Sequence, residues 1–426
     1  MYLEIFNEVV DIMHHDYAGW RDKKGWDNPK EFEKKVKNLE EKGEIDAYSF
    51  TEIVEDYLLD FKDPHMYFKM SDSNEQKEVD NGFSVRRFDE KLFVTSVGQE
   101  NRLAPGDAIL SLDALSIHEL VEQHQGELME TKAERENWKK ALQNYSVADV
   151  VNSNGEHRLL DLKKYEKKAY APIHTITRLD EETLYLKATD FFEKSTIDTL
   201  IAQFESELTS TQNLIIDVRV NYGGSTLAYA SLENYLFPAT SMKIDYLDYA
   251  TEFNCTDRNA ELMIGLIDQE LAKTDNQAYR KGLERFKEEA WVKNKGKGFT
   301  SFSEDNEEIE KIGCELPATI IVLTDTYCGS AGDIFVYLCK KSPKVIVVGR
   351  PTMGVNDYSN LTTIKWNEKF EFSYPTSRLK SLDYRGALMN PGIQPDVYIP
   401  WTPEHIYKDV DLEEAMRILR RKNLFK

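Results

Sequence analysis

Two short apolar runs, "NLIIDVRV" at 213–220 and "ATIIVL" at 318–323, each stop at a glycine-bearing turn. Neither alternates strictly with polar residues, as a strand with one wet face would. Both look like buried strands, and strands that alternate with helices indicate a largely parallel sheet. Amphipathic stretches supply those helices: "STIDTLIAQFESEL" precedes the first run, and "AGDIFVYLC" follows the second. The predicted class is therefore α/β, a mostly parallel sheet with right-handed crossover helices. In such sheets polar ligands meet the carboxyl ends of the strands. The loops "NYGG" (221–224) and "TDTYCGSAGD" (324–333) should then emerge on the same side.

The second loop carries Ser330 between two glycine-containing flanks, with Asp333 three residues on. That spacing is a capping box, which satisfies orphan backbone donors at a helix start and by itself implies no function. Convergence with the first loop adds a chemical reading. Gly223 and Gly224 let a backbone N–H approach a substrate oxygen, and Ala331 offers another at a helix start. Two such donors beside a serine hydroxyl make an oxyanion hole. A glycine pair is equally the mark of a tight strand-to-helix turn. The motif is not the G-x-S-x-G elbow, since Cys328 stands at the first glycine position.

The 426 residues exceed one ordinary core, so several regions are expected. Residues 1–75 read as helical, with Leu3, Phe6, Val9, Val10 and Met13 on one face and Ile53, Val54, Tyr57 and Leu58 on another. Residues 76–130 alternate short strands and turns around "APGD", and residues 131–426 hold the α/β core with a polar helical insertion near 250–310. A formal charge of −21 without a basic stripe argues against nucleic acid as a partner. The cysteines Cys255, Cys314, Cys328 and Cys339 lack metal-ligand spacing, so free thiols and no metal are expected. No run reaches the roughly 20 apolar residues of a membrane span. As it stands the chain reads as cytoplasmic; a removed export signal would place it outside.

The ordered segments "KDPHMYF", "LIIDVRVNYGG", "CGSAGDIF", "VVGRPTMG" and "NPGIQPDVYIP" resemble those of the C-terminal processing peptidases and tricorn core peptidases. These serine peptidases often carry a PDZ domain. The resemblance implies a ClpP/crotonase-like core, a PDZ-like module at 76–130, and Ser330 as nucleophile. It also implies a polypeptide substrate and no cofactor. One branch takes the serine proton with a lysine; at the matching place this chain has Val355, which cannot accept it. The tricorn-like branch uses a histidine, and "DPHMYF" supplies His65. That branch orients its imidazole with a glutamate where this chain has Met389 or Asn390, so Asn390 and the nearby acid Asp383 become the candidates for the third role.

The leading expectation is a serine endopeptidase acting on unfolded or C-terminally exposed polypeptides through an acyl-enzyme. Two alternatives stand beside it. One is a Ser/Lys peptidase drawing on Lys340, Lys341 or Lys380; the other is a non-catalytic peptide-binding protein that keeps the fold. The PDZ-like module presents substrate or gates the cleft, two roles the sequence leaves open. Asp217 and Arg219 lie on one face of their strand and read as an internal ion pair. Oligomeric state is not legible.

Overall fold

A computed structural model describes residues 1–71, 79–130, 132–245, 247–301, 308–386 and 391–423. The chain divides into two units, each assembled from separated segments: residues 1–73, 242–311 and 354–390 form one, and 74–241, 312–353 and 391–426 the other.

The second unit contains the expected sheet. Its strands are β1 (His174–Arg178), β2 (Thr183–Ala188), β3 (Asn213–Asp217), β4 (Thr319–Thr324), β5 (Val345–Gly349) and β6 (Val397–Tyr398), hydrogen-bonded in that spatial order. The β1–β2 pair is antiparallel, and every later pairing is parallel. All five residues of β3 and all six of β4 are buried, the polar Asn213, Asp217, Thr319 and Thr324 included. Helices α1 (Lys194–Gln203), α2 (Ala331–Lys340) and α3 (Val410–Asn423) follow β2, β4 and β6. Ala415 and Leu419 of α3 pack with Ile215, Ile321, Leu323 and Val348 of the sheet.

The small β module is larger than its sequence limits suggest. Strands Phe83–Phe88, Lys91–Val97 and Ala108–Leu112 are joined by Val147–Val151 and His157–Asp161, so the sheet runs well past residue 130. Its core includes Val94, Ile109, Trp138 and Val150. The residues between 130 and 161 lack a long periodic pattern, which hid their membership.

In the first unit, helices Tyr2–His15, Pro29–Lys42 and Ala47–Leu59 form as expected. The buried face of the first is Ile5, Phe6, Val9, Ile12 and Met13, with Leu3 and Val10 at its margin. This face packs with Phe370, Phe372 and Tyr374 of strand Phe370–Leu379, which also pairs with strand Tyr67–Met70. The insertion is helical at Asp257–Lys273 and Gln277–Phe286. Among the described residues no helix is long and apolar enough to cross a membrane.

Buried charge fastens the parts of the second unit. Arg86 of the module donates two hydrogen bonds, of 2.8 and 2.7 Å, to Asp325, the residue directly after β4. Arg350 lies 3.0 Å from the same carboxylate and bonds Asp411 of α3 at 2.9 Å. Arg219 joins Asp217, Asp409 and Asp411. Burial alone would raise the Asp325 pKa, but the Arg86 and Arg350 charges overcome it and hold the carboxyl well below the usual range. A depressed pKa contributes stability above the unfolded value near 3.9 and loses it as pH falls through the folded value. Asp325→Ala strands two buried guanidinium groups and is expected to lower unfolding free energy by about 3–5 kcal/mol. Urea denaturation at pH 7 checks this, and the deficit should shrink below about pH 4.

Candidate active site

Ser330 occupies the N-cap of α2 but does not have N-cap geometry. An ordinary cap residue is extended; Ser330 has φ 56° and ψ −120°, a region strained for any residue with a side chain. Its backbone N–H donates to Asp333 Oδ2 at 2.8 Å, so the acid does serve the helix start as expected. Strain of this kind costs on the order of 1–3 kcal/mol and persists where surroundings over-determine it. Here Met353 backs the turn: its N–H donates to the Cys328 carbonyl at 2.7 Å, and its sulfur would lie 3.0 Å from a Cβ added to Gly329.

The glycine loop lies directly against this turn. Short parallel strands Val220–Asn221 and Tyr327–Cys328 pair, and the Gly329 N–H donates to the Asn221 carbonyl at 3.0 Å. Gly223 has φ +76°, and a methyl there would sit 2.6 Å from Ser330 Cβ. Gly224, at φ +131°, would place a methyl 2.3 Å from the Phe191 carbonyl oxygen. Neither position tolerates a side chain. The two glycines differ in one respect. The Gly223 N–H donates to Asn221 Oδ1 at 3.0 Å, so its contribution beside Ser330 is the bare α-carbon rather than the amide expected from sequence. Asn221, fully buried, also donates from its amide to the Ala188 carbonyl at 3.0 Å. It brackets the loop, and "NYGG" marks its position without revealing that role.

His65 belongs to the first unit, in the turn before strand Tyr67–Met70. The turn is an Asx type: the His65 N–H donates to Asp63 Oδ1 at 2.9 Å. The other Asp63 oxygen accepts from the Tyr17 hydroxyl at 2.6 Å, and Lys23 donates to that hydroxyl at 3.0 Å. Lys23 is buried, and burial pulls its pKa down against the opposing pull of Asp63. On the ring, Nδ1 lies 2.8 Å from the Tyr358 carbonyl oxygen. A carbonyl only accepts, so Nδ1 carries a proton, and in the neutral ring Nε2 is the nitrogen with the lone pair. Asp383 is not that partner; its carboxylate lies 2.9 Å from Arg378. Asn390 lies outside the described residues. Asp217 and Arg219 form the internal pair expected of them, at 2.7 Å.

The profile of Peptidase family S41 matches residues 182–399, just over half of the chain. The chain belongs to peptidase family S41. The matched span contains Gly223, Gly224 and Ser330, whereas His65 precedes it. A Sulfurisphaera tokodaii protein named as a tricorn-like protease C-terminal subunit is 31% identical over 108 residues. That stretch covers 24% of this S41 chain and 12% of the longer relative. Mature CPAF complexed with lactacystin superposes with a TM-score of 0.64 at 14% identity, covering 98% of this chain and 97% of its own. Mature CPAF in a second structure gives the same score, covering 98% and 96%. At this identity the likeness is one of fold.

Gly223→Ala should displace Ser330 or the loop, since the new methyl and Ser330 Cβ cannot both keep their places. The expected result is about a 100-fold loss in fluorophosphonate labelling of Ser330, the scale of an ångström's misplacement in a reacting group. Labelling rates compared with wild type, alongside thermal melts, check it.

Proposed function

We propose that the chain is a serine endopeptidase of the S41 family acting on unfolded or C-terminally exposed polypeptides. The observation that carries the reading is Ser330, held at positive φ with its Cβ against a glycine that cannot be anything larger. Ser330 Oγ attacks the scissile carbonyl carbon while His65 Nε2 takes the hydroxyl proton. The amides of Ala331 and Gly224 receive the oxyanion. As the C–N bond breaks, the imidazolium returns the proton to the leaving amine, and water then clears the acyl-enzyme by the same steps.

In this mechanism the third member is a main-chain carbonyl. The Tyr358 oxygen fixes the imidazole tautomer as a carboxylate would, but carries no full charge to stabilise the imidazolium. A slower enzyme than a carboxylate triad is the consequence. The lysine alternative is weakened by Lys340, whose ammonium lies 2.5 Å from Asp396. The β module at 83–161 is read as PDZ-like, adding an extended peptide to a strand edge.

Ser330→Ala and His65→Ala should each lower cleavage of a casein-type substrate by about 10⁴-fold or more. Asp383→Asn should stay within about threefold of wild type, because Asp383 answers to Arg378 and not to the ring. Rates from a fluorogenic casein assay decide among the readings. Activity that survives His65→Ala but not Ser330→Ala indicates a lysine base, and an inert wild type indicates a peptide-binding protein.

A further inference from the structure

Three aromatic rings stand in the open beside the glycine loop, where the catalytic steps do not use them. Tyr170, Phe192 and Tyr222 are 46%, 53% and 44% exposed. Tyr170 meets both others edge to face, with ring centroids 6.1 Å from Phe192 and 5.3 Å from Tyr222. Single exposed apolar residues are ordinary on protein surfaces; a contiguous stacked group is not.

The group is also built to stay in place. Buried Asp190 accepts the Tyr170 hydroxyl at 2.6 Å on one oxygen and the Phe192 N–H at 3.0 Å on the other. The Thr189 hydroxyl, 2.8 Å away, donates to the Tyr170 oxygen. The backbone beneath is laced to the glycine loop. Tyr222 N–H donates to the Thr189 carbonyl at 3.0 Å, Phe191 N–H to the Gly223 carbonyl at 2.7 Å, and Ser225 N–H to the Phe191 carbonyl at 2.9 Å. Rings fixed by polar pins on a hydrogen-bonded ladder lose little further freedom when something packs on them, which is what preorganised recognition requires.

Tyr222 is the residue before Gly223, whose α-carbon abuts Ser330. Successive α-carbons lie about 3.8 Å apart, so the Tyr222 backbone stands within about 8 Å of Ser330, two to three residues of an extended peptide advancing about 3.3 Å each. Resting on the peptidase reading above, we propose that Tyr170, Phe192 and Tyr222 form a substrate subsite that selects an apolar side chain, aromatic or branched aliphatic, near the cleaved bond. Edge-to-face contact suits an incoming ring, and the absence of a charge on the three side chains leaves an acidic or basic residue nothing to pair with.

The test separates recognition from catalysis. Dye-labelled Gly/Ser decapeptides carrying one central Phe, Leu or Asp are titrated by fluorescence polarisation against the full chain bearing Ser330→Ala. The same is done with Phe192→Ser or Tyr222→Ser added, and thermal melts verify that each variant is folded. The Phe and Leu peptides should bind about tenfold more tightly than the Asp peptide, and each added substitution should cut that ratio to about twofold or less. No preference in the Ser330→Ala chain overturns the subsite, as does a preference that survives both substitutions. So does a change in sedimentation without a change in preference, since that would assign the rings to a second copy of the chain. Fluorophosphonate labelling of wild type reads the peptidase proposal independently: a chain that binds Phe peptides through these rings but never labels would keep the subsite and lose the hydrolase.

Discussion

The second unit depends on keeping several buried charges satisfied at once. Asp325 is shared by Arg86 and Arg350, and Asp411 by Arg350 and Arg219, while Arg219 also holds Asp217 at the end of β3. Each guanidinium would be costly to bury alone. The contacts therefore hold only if the β module, the ends of β3, β4 and β5, and helix α3 take up their places together. This is why the residue after β4 has a fixed position, and Ser330 follows it by five residues.

From that anchored strand end, the site is made mostly of backbone. Asn221 bridges the glycine loop and the Ser330 turn through its own main chain and side chain. Gly223 lets the two loops touch. Ser330 absorbs the strain in a conformation that neighbouring contacts impose. The histidine turn follows the same economy: Asp63 pins its backbone, and a carbonyl sets its tautomer. A constellation held this way depends on the exact course of the chain more than on the identity of many side chains.

Much of this was legible in the sequence. The alternation of the strands β3 and β4 with amphipathic helices pointed to a parallel sheet, because crossover helices return the chain to the same edge in the same direction. The turns at Ser330 and at the glycine pair could be read from the residues, whereas His65 was singled out by the family resemblance of its segment. The domain limits were not legible: strand Tyr67–Met70 pairs with Phe370–Leu379 across some three hundred residues, and no local pattern carries that information. Asp383 was chosen as the nearest acid in sequence, and its carboxylate lies 2.9 Å from Arg378 on the adjoining strand. The ring's actual partner, the Tyr358 carbonyl, has no side-chain signature to read.

Sequence by itself determined what is encoded by periodicity and by residues with special backbone freedom: the helices, the buried strands, and the turns that bring Ser330 and Gly223 to the carboxyl ends of β4 and β3. Tertiary structure alone decided which amides and carbonyls bond around Ser330 and His65, and that exposed rings at 170, 192 and 222 meet edge to face in one surface. The division has a physical cause. Hydrophobic pattern and turn propensity act over a few residues, whereas hydrogen-bond partners are chosen only when distant segments have already been brought within about 3 Å.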